Sequence, residues 1–261
     1  MSSDVSRAAS DLLYDLWTSG RHIEQLPPEL RPVTRADGYA IQALLERHST
    51  SSLFGWKIAA TSAAGQAHIR VDGPLAGRIL AERVIGNGGE CSLRGNLMRV
   101  AELEFAFRMS HDIGPRVTPY SVAEVMDRVA SLHPAIEIPD SRLTGFELSG
   151  AAALIADNAC AHDFLLGAAC PSLWRSLDLA RHEVWGYIGE HPPRPGIGSN
   201  VLGDPRVALA WLANELSQYG TTLRAGEIVT TGTCLVPVPV KPGDRVHGDF
   251  GVLGKVSVSF A

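Results

Sequence analysis

Two glutamates one residue apart carry the strongest chemical signal in this chain. Glu102 and Glu104 alternate with apolar residues in the segment 99–107. Alternate residues of a β-strand point to the same face, so the two carboxylates would share a face about 6.6 Å apart. At an effective dielectric of about 20 they repel each other by about 2.5 kcal/mol. A cation between them would reverse that sign, whereas a water-exposed face would simply screen the charges.

A third carboxylate stands in an equally apolar stretch. Glu137 lies within 135–140, which reads Ala-Ile-Glu-Ile-Pro-Asp, and an unpaired carboxylate in such a run is costly. Three carboxylates on β-structure, without an evident set of His or Cys ligands, suit a hard cation such as Mg²⁺ or Mn²⁺ better than zinc. The sequence alone does not show that Glu137 meets the other two glutamates.

Lys57 interrupts another apolar run, Gly55-Trp-Lys-Ile-Ala. One interpretation is a lysine whose stem is buried while its ammonium reaches solvent. The other is a desolvated lysine beside a metal site, with its pKa lowered towards neutrality so that it serves as a general acid or base. Two polar runs, 156–160 and 229–233, follow apolar segments and are either loop caps or active-site loops.

The elements that must position these residues change character along the chain. Apolar residues recur at helical spacing up to Gly20, and Thr34 with Asp37 forms a capping-box pair at the start of a second helix. Further helical patterns cover 120–131 and 204–219, and 242–244 reads as a turn between two strands. Strands are predicted near 53–60, 98–108, 134–139, 182–190, 227–236 and 253–260. The pattern predicts a small, mainly helical N-terminal domain (1–65) and a larger β-rich domain (66–261), an α+β arrangement.

Composition excludes several classes of protein. The net charge of −5 gives no electrostatic footprint for nucleic acid. No signal peptide fits the first residues, and no apolar run reaches the ~18 to 20 residues of a membrane helix. The four cysteines show no Cys-x-x-Cys pair, which favours free thiols in a reducing compartment. We therefore expect a cytoplasmic protein without a membrane partner.

Taken together, these motifs resemble the 2-keto-4-pentenoate hydratase and 4-oxalocrotonate decarboxylase family of the fumarylacetoacetate-hydrolase-like superfamily. The resemblance covers nearly the whole chain and depends on the order and spacing of modest motifs. They occupy residues 31–42, 55–62, 101–104, 135–142, 156–158, 200–203 and 210–214.

The resemblance implies a role for each candidate residue. Glu102, Glu104 and Glu137 match the family's ligands for Mg²⁺ or Mn²⁺, and Lys57 matches its active-site lysine. The implied fold is a small N-terminal domain and a larger mixed β-roll, assembled into a homo-oligomer. We expect the substrate to be bound by Asp140 of the 135–142 motif and by Thr231 and Gly232 of the polar run 229–233.

The implied activity is that of a lyase. It adds water to a 2-hydroxy-2,4-dienoate and gives a 4-hydroxy-2-oxo acid in the catabolism of aromatic or related rings. Our hypothesis is that Lys57 carries out one of the proton transfers.

Three departures from the family pattern leave alternatives open. Leu75 stands where the hydratases usually carry an aspartate, Cys160 replaces a serine, and Ala59 replaces a glycine. If the aspartate handles water, decarboxylation of a 2-oxo-3-enedioate becomes the alternative reaction. A non-catalytic metal-binding scaffold is an alternative of another class. Carbon–carbon hydrolysis is disfavoured because no His-x-x-Glu motif precedes Lys57.

Overall fold

Six α-helices are present in the computed structural model, which describes residues 1–261. They are α1 (Ser3–Ser19), α2 (Arg35–Ala43), α3 (Ala63–His68), α4 (Val122–Met126), α5 (Gly150–Ala156) and α6 (Pro205–Gln218). The Ser2 side chain caps α1, and Gly20 ends it with φ 65°, a left-handed conformation that glycine adopts without strain. The predicted capping box of Thr34 and Asp37 at the start of α2 is confirmed. No helix has the length and apolar character needed to cross a membrane.

Thirteen strands form two sheets. The strands are β1 (Gly55–Ala59), β2 (Leu75–Ile79), β3 (Val84–Gly86), β4 (Glu90–Cys91), β5 (Val100–Met109), β6 (Val129–Ile138), β7 (Asp163–Leu166), β8 (Glu183–Ile188), β9 (Arg194–Ile197), β10 (Ile228–Thr233), β11 (Val238–Pro239), β12 (Arg245–Asp249) and β13 (Lys255–Phe260). The large sheet has the order β2-β1-β10-β5-β6-β7-β3, with β11 alongside β5. The second sheet has the order β4-β13-β12-β8-β9.

The two sheets pack against each other through one face of β5. Leu103 and Phe105 have no exposed surface, and the Phe105 ring meets Phe250 edge to face with centroids 5.3 Å apart. Leu103 lies over Gly186 and Gly248, where an added Cβ would fall 3.3 Å and 3.0 Å from its methyl groups. The second sheet therefore covers the apolar face of β5, and the alternate residues of that strand face away from it.

The α+β fold class is confirmed, and most predicted strands are present. The predicted helix over 120–131 is wrong beyond Met126, because β6 begins at Val129 and pairs with β5 along its length. Tertiary pairing overrides the local helical pattern there. The division into domains at residue 65 stays a prediction, and β1, which precedes that point, pairs with β10 inside the large sheet.

A buried ion pair joins the chain after β6 to the end of α5. Arg142 Nε lies 2.5 Å from Asp157 Oδ1, and both side chains are almost fully buried. Ser141 donates its hydroxyl to the other oxygen of Asp157, while Arg142 also donates to the carbonyls of Asp140 and Ala161. These bonds fix two segments that border the carboxylate face described below.

Breaking this pair from one side should destabilise the fold strongly. An Arg142→Met variant leaves a buried, unpaired carboxylate, and we expect the free energy of unfolding to fall by about 3–5 kcal/mol. The matched control is Arg181→Met, because Arg181 is 88% exposed beside Asp178 and its loss should have no measurable effect. Urea denaturation of both variants tests this, and equal effects would contradict the assignment.

Candidate metal centre

Four neighbouring strands place polar side chains on one face of the large sheet. In the register of β5 and β6, Glu102 lies directly opposite Glu137. Lys57 of β1 lies opposite Thr230 of β10, which in turn lies opposite Ala106 of β5. Since residues opposite each other in adjacent strands share a face, the sheet itself gathers the carboxylates and the lysine.

The three glutamates converge at short range. Each of Glu102, Glu104 and Glu137 offers a carboxylate oxygen, and these oxygens all lie within 4.8 Å of one another. Lys57 Nζ lies 3.0 Å from Glu137 Oε1 and donates a hydrogen bond of 2.9 Å to the carbonyl of Ala159. Glu104, Glu137 and Lys57 are almost fully buried, whereas Glu102 is partly exposed. The cluster is therefore open on the side of Glu102.

Glu104 and Glu137 differ in their hydrogen bonds. Glu104 Oε2 accepts one from the Thr230 hydroxyl and one of 2.8 Å from the Gly232 amide, which fix its orientation. Neither oxygen of Glu137 accepts a well-formed hydrogen bond, although the ammonium of Lys57 is near. A buried carboxylate without hydrogen bonds is costly, and an all-oxygen cluster with such an orphaned member fits a hard divalent cation.

The charges of the cluster are unbalanced. Burial raises the pKa of all three glutamates, and the charge of Glu137 adds to this effect at Glu102 and Glu104. Burial lowers the pKa of Lys57, but the attraction of Glu137 and Glu102 outweighs it and raises the pKa above its ordinary value. The pKa is raised in the absence of metal because one ammonium faces three carboxylates, and the lowered pKa expected for a lysine beside a bound metal stays a prediction.

The three predicted substrate-binding residues, Gly232, Thr231 and Asp140, have different hydrogen-bond partners. The Gly232 amide contacts Glu104 directly, and its φ of 102° with Thr61 packed above it excludes a side chain. The Thr231 hydroxyl instead donates to the carbonyl of Phe105, so it does not reach the carboxylates. Asp140 accepts hydrogen bonds from the amides of the 97–98 segment before β5. Substrate binding by these three residues stays a prediction.

Sequence reasoning missed two parts of the site. Thr230, in the same Thr-Thr-Gly run as Thr231, is the threonine that contacts Glu104. The carbonyl of Ala159 accepts a hydrogen bond from the ammonium of Lys57. A contact with a backbone carbonyl cannot be predicted from residue types, because every residue has one. The polar run 229–233 did not indicate which threonine faces the cluster, because the pairing of β10 with β5 is irregular between residues 230 and 233.

Leu75 lies on the same face of the sheet as Lys57. Lys57 pairs with Gly77 and Ala59 pairs with Leu75 in the antiparallel register of β1 and β2. Leu75 has no exposed surface. The position where the family resemblance leads us to expect an acid is therefore filled by a buried apolar side chain, two residues along β2 from the partner of Lys57.

Known proteins resemble the chain over its whole length. It is 33% identical to 2-keto-4-pentenoate hydratase 1 of Dechloromonas aromatica, covering 98% of this chain and 97% of that protein. It is 32% identical to 2-hydroxyhexa-2,4-dienoate hydratase of Comamonas testosteroni, covering 95% and 94%. Among solved structures, 4-oxalocrotonate decarboxylase from Pseudomonas putida, complexed with magnesium and adipate, gives a TM-score of 0.91 at 24% identity, covering 100% and 99%. No family model matches the chain.

These likenesses define both the fold and the family of the chain. The fold is that of the fumarylacetoacetate-hydrolase-like enzymes, as the resemblance implied. At 33% identity over 98% of its length, the chain belongs to the 2-keto-4-pentenoate hydratase family.

The imbalance of charge predicts how the metal-free protein responds to pH. Because the carboxyl pKa values are raised on folding, the folded state holds more protons than the unfolded chain above the ordinary glutamate pKa of 4.5. We therefore expect the free energy of unfolding in EDTA to fall as pH rises from about 5.5 to 8. Divalent metal competes with those protons, so stabilisation by Mn²⁺ should grow over the same interval.

Urea denaturation at several pH values, with EDTA and with Mn²⁺, measures both effects. Glu104→Gln is the matched variant, since it removes one buried charge while retaining the shape of the side chain. It should flatten the pH dependence in EDTA and reduce the stabilisation by Mn²⁺. A pH dependence that neither Mn²⁺ nor this substitution alters would contradict the assignment.

Proposed function

We propose that the protein is a metal-dependent hydratase of a 2-hydroxy-2,4-dienoate of the 2-keto-4-pentenoate type, which yields a 4-hydroxy-2-oxo acid in the catabolism of aromatic or related rings. The observation that carries this proposal is the convergence of three carboxylates within 4.8 Å beside a buried lysine. Relatives named as hydratases of such dienoates, at 33% and 32% identity, support the choice of substrate class.

Glu102, Glu104 and Glu137 would hold the cation, and their oxygen donors favour Mg²⁺ or Mn²⁺. Such an ion, when bound, polarises the carboxylate and neighbouring 2-oxo oxygen of a substrate as a Lewis acid. Among the three ligands, Glu104 is fixed by two hydrogen bonds. Glu102 borders the open side, which is where an anionic substrate would enter.

Lys57 supplies the movable proton. An ammonium has three N–H groups, and in this structure one is donated to Ala159 while Glu137 lies 3.0 Å from the same nitrogen. Because Glu137 accepts no well-formed hydrogen bond from it, the ammonium keeps at least one N–H for the substrate. Because the lysine is buried, its charge is little screened by water, and its hydrogen bond to a developing negative charge is correspondingly strong. We assign Lys57 a proton transfer during ketonisation of the dienol.

Decarboxylation of a 2-oxo-3-enedioate is the second candidate, and one observation favours it. Leu75 fills the position on the lysine face where the family resemblance places an acid. A decarboxylase need not activate water, so a buried leucine there would be no obstacle. Both candidates use the same carboxylate cluster and differ in the distal group of the substrate.

Two broader features belong to the same proposal. The four cysteines are unpaired and buried, which supports a reducing, cytoplasmic location. Assembly into a homo-oligomer stays a prediction from the family resemblance.

The direct test follows the ultraviolet absorbance of 2-hydroxypenta-2,4-dienoate with purified protein and Mg²⁺ or Mn²⁺. We expect loss of absorbance that EDTA abolishes, and a product one water heavier by mass spectrometry. Release of carbon dioxide from 2-oxohex-3-enedioate, without hydration of the first substrate, would favour the decarboxylase. Metal binding without turnover of either compound would favour a scaffold.

Lysine variants separate the role of Lys57 from that of the metal ligands. In Lys57→Met we expect kcat to fall by about 100-fold or more, with metal binding retained, because the proton donor alone is lost. Lys255→Met is the control, since that lysine is exposed and pairs with Asp249 far along the second sheet. Near-normal turnover by Lys57→Met would remove the lysine from this role.

A further inference from the structure

A left-handed turn lies directly beside Lys57. Asn158, Ala159 and Cys160 have φ values of 54°, 49° and 61°, although none is a glycine. Residues with side chains adopt this region at a cost in free energy, and consecutive ones persist only where the surrounding structure holds them. All three are buried. The turn matters to the site because its central carbonyl, that of Ala159, accepts the hydrogen bond from Lys57.

The side chain of Asn158 ties the turn to strand β2. Its Oδ1 accepts a hydrogen bond of 2.6 Å from the Arg78 amide, and its Nδ2 donates one of 2.8 Å to the Arg78 carbonyl. Asn158 is only 3% exposed, so these are buried bonds to both polar groups of one backbone residue. The Asn158 side chain thus bonds the backbone of Arg78 as a neighbouring β-strand would, and the turn has little freedom to shift.

Gly77 of β2 packs against both the turn and the side chain of Lys57. An added Cβ at Gly77 would lie 2.4 Å from the Asn158 carbonyl and 3.0 Å and 3.1 Å from Cγ and Cδ of Lys57. The lysine stem and the turn are thus both packed against the bare backbone of β2. The ammonium is held between Ala159 and Glu137 as a result.

We propose that Asn158 is a positioning residue for Lys57. By fixing the left-handed turn, it holds the Ala159 carbonyl where the ammonium of Lys57 remains beside the carboxylate cluster and keeps an N–H available for the substrate. This inference rests on the proposed function for the role of the lysine, whereas the geometry it describes does not depend on the substrate.

Asn158→Gly tests the proposal, because glycine adopts the left-handed conformation freely and only the side-chain bonds are lost. We expect kcat to fall by about 10- to 100-fold, as expected when a reacting group is misplaced by about 1 Å. KM and the affinity for Mn²⁺ should each change by less than about threefold, since the three glutamates are untouched.

Gln42→Met is the matched structural control. Gln42 is equally buried, donates to the carbonyls of Ala76 and Ile155, and accepts a hydrogen bond from the guanidinium of Arg78. It therefore supports β2 and α5 without a hydrogen bond to Asn158, Ala159 or Lys57. We expect a lower melting temperature with kcat retained. If kcat falls in both variants in proportion to the loss of thermal stability, Asn158 is merely structural and the proposal is overturned.

A second readout needs no substrate. The chain has three lysines, Lys57, Lys241 and Lys255, so amine labelling followed by peptide mass spectrometry reports each one separately. In the metal-free wild type Lys57 should be protected while the other two react, and in folded Asn158→Gly its labelling relative to Lys255 should rise by about tenfold or more, as local opening exposes it. Continued protection of Lys57 in that variant overturns the proposal, whichever reaction the enzyme catalyses.

Discussion

Three carboxylates gathered on one largely buried face of a sheet repel one another, and the single ammonium beside them leaves two negative charges unbalanced. Burial raises the pKa of Glu102, Glu104 and Glu137, so ionising all three carboxyls without a bound cation is costly. A divalent cation bound by the three carboxylates would restore neutrality. The rest of the structure can be understood as the framework that keeps these charges together in spite of their repulsion.

That framework begins with the opposite face of β5. Leu103 and Phe105 anchor the strand in the core between the sheets, so the glutamates that alternate with them cannot turn away from each other without unpacking it. The pairing of β5 with β6 then places Glu137 across from Glu102. Hydrogen bonds to Glu104, the ion pair of Arg142 with Asp157 and the turn around Asn158 constrain the borders of the face. Side chains outside the carboxylate cluster thus determine its geometry.

Much of this framework could be predicted from local patterns. Alternation of apolar and acidic residues was enough to place Glu102 and Glu104 on one face. The apolar surroundings of Lys57 left two interpretations open, and its burial favours the desolvated lysine. The capping box of Thr34 and Asp37 could also be predicted, because the two residues are only three positions apart in the chain.

The parts that could not be predicted depend on distant segments. The meeting of Glu137 with Glu102 requires the register of β5 and β6, which no single segment encodes. The choice of Thr230 over Thr231 depends on an irregular pairing with β5, and the start of β6 at Val129 was hidden by a helical pattern. The raised pKa of Lys57 in the absence of metal likewise reflects all three carboxylates at once, which no local pattern contains.

The central claim is that the three glutamates hold one divalent cation. Crystals grown with Mn²⁺, measured at the manganese absorption edge, test it most directly because anomalous scattering locates the ion without reference to activity. We predict one strong peak about 2.0–2.3 Å from a carboxylate oxygen of each of Glu102, Glu104 and Glu137, lost in Glu104→Gln crystals. A protein that binds no Mn²⁺ at this face, or binds it only elsewhere, would contradict the account.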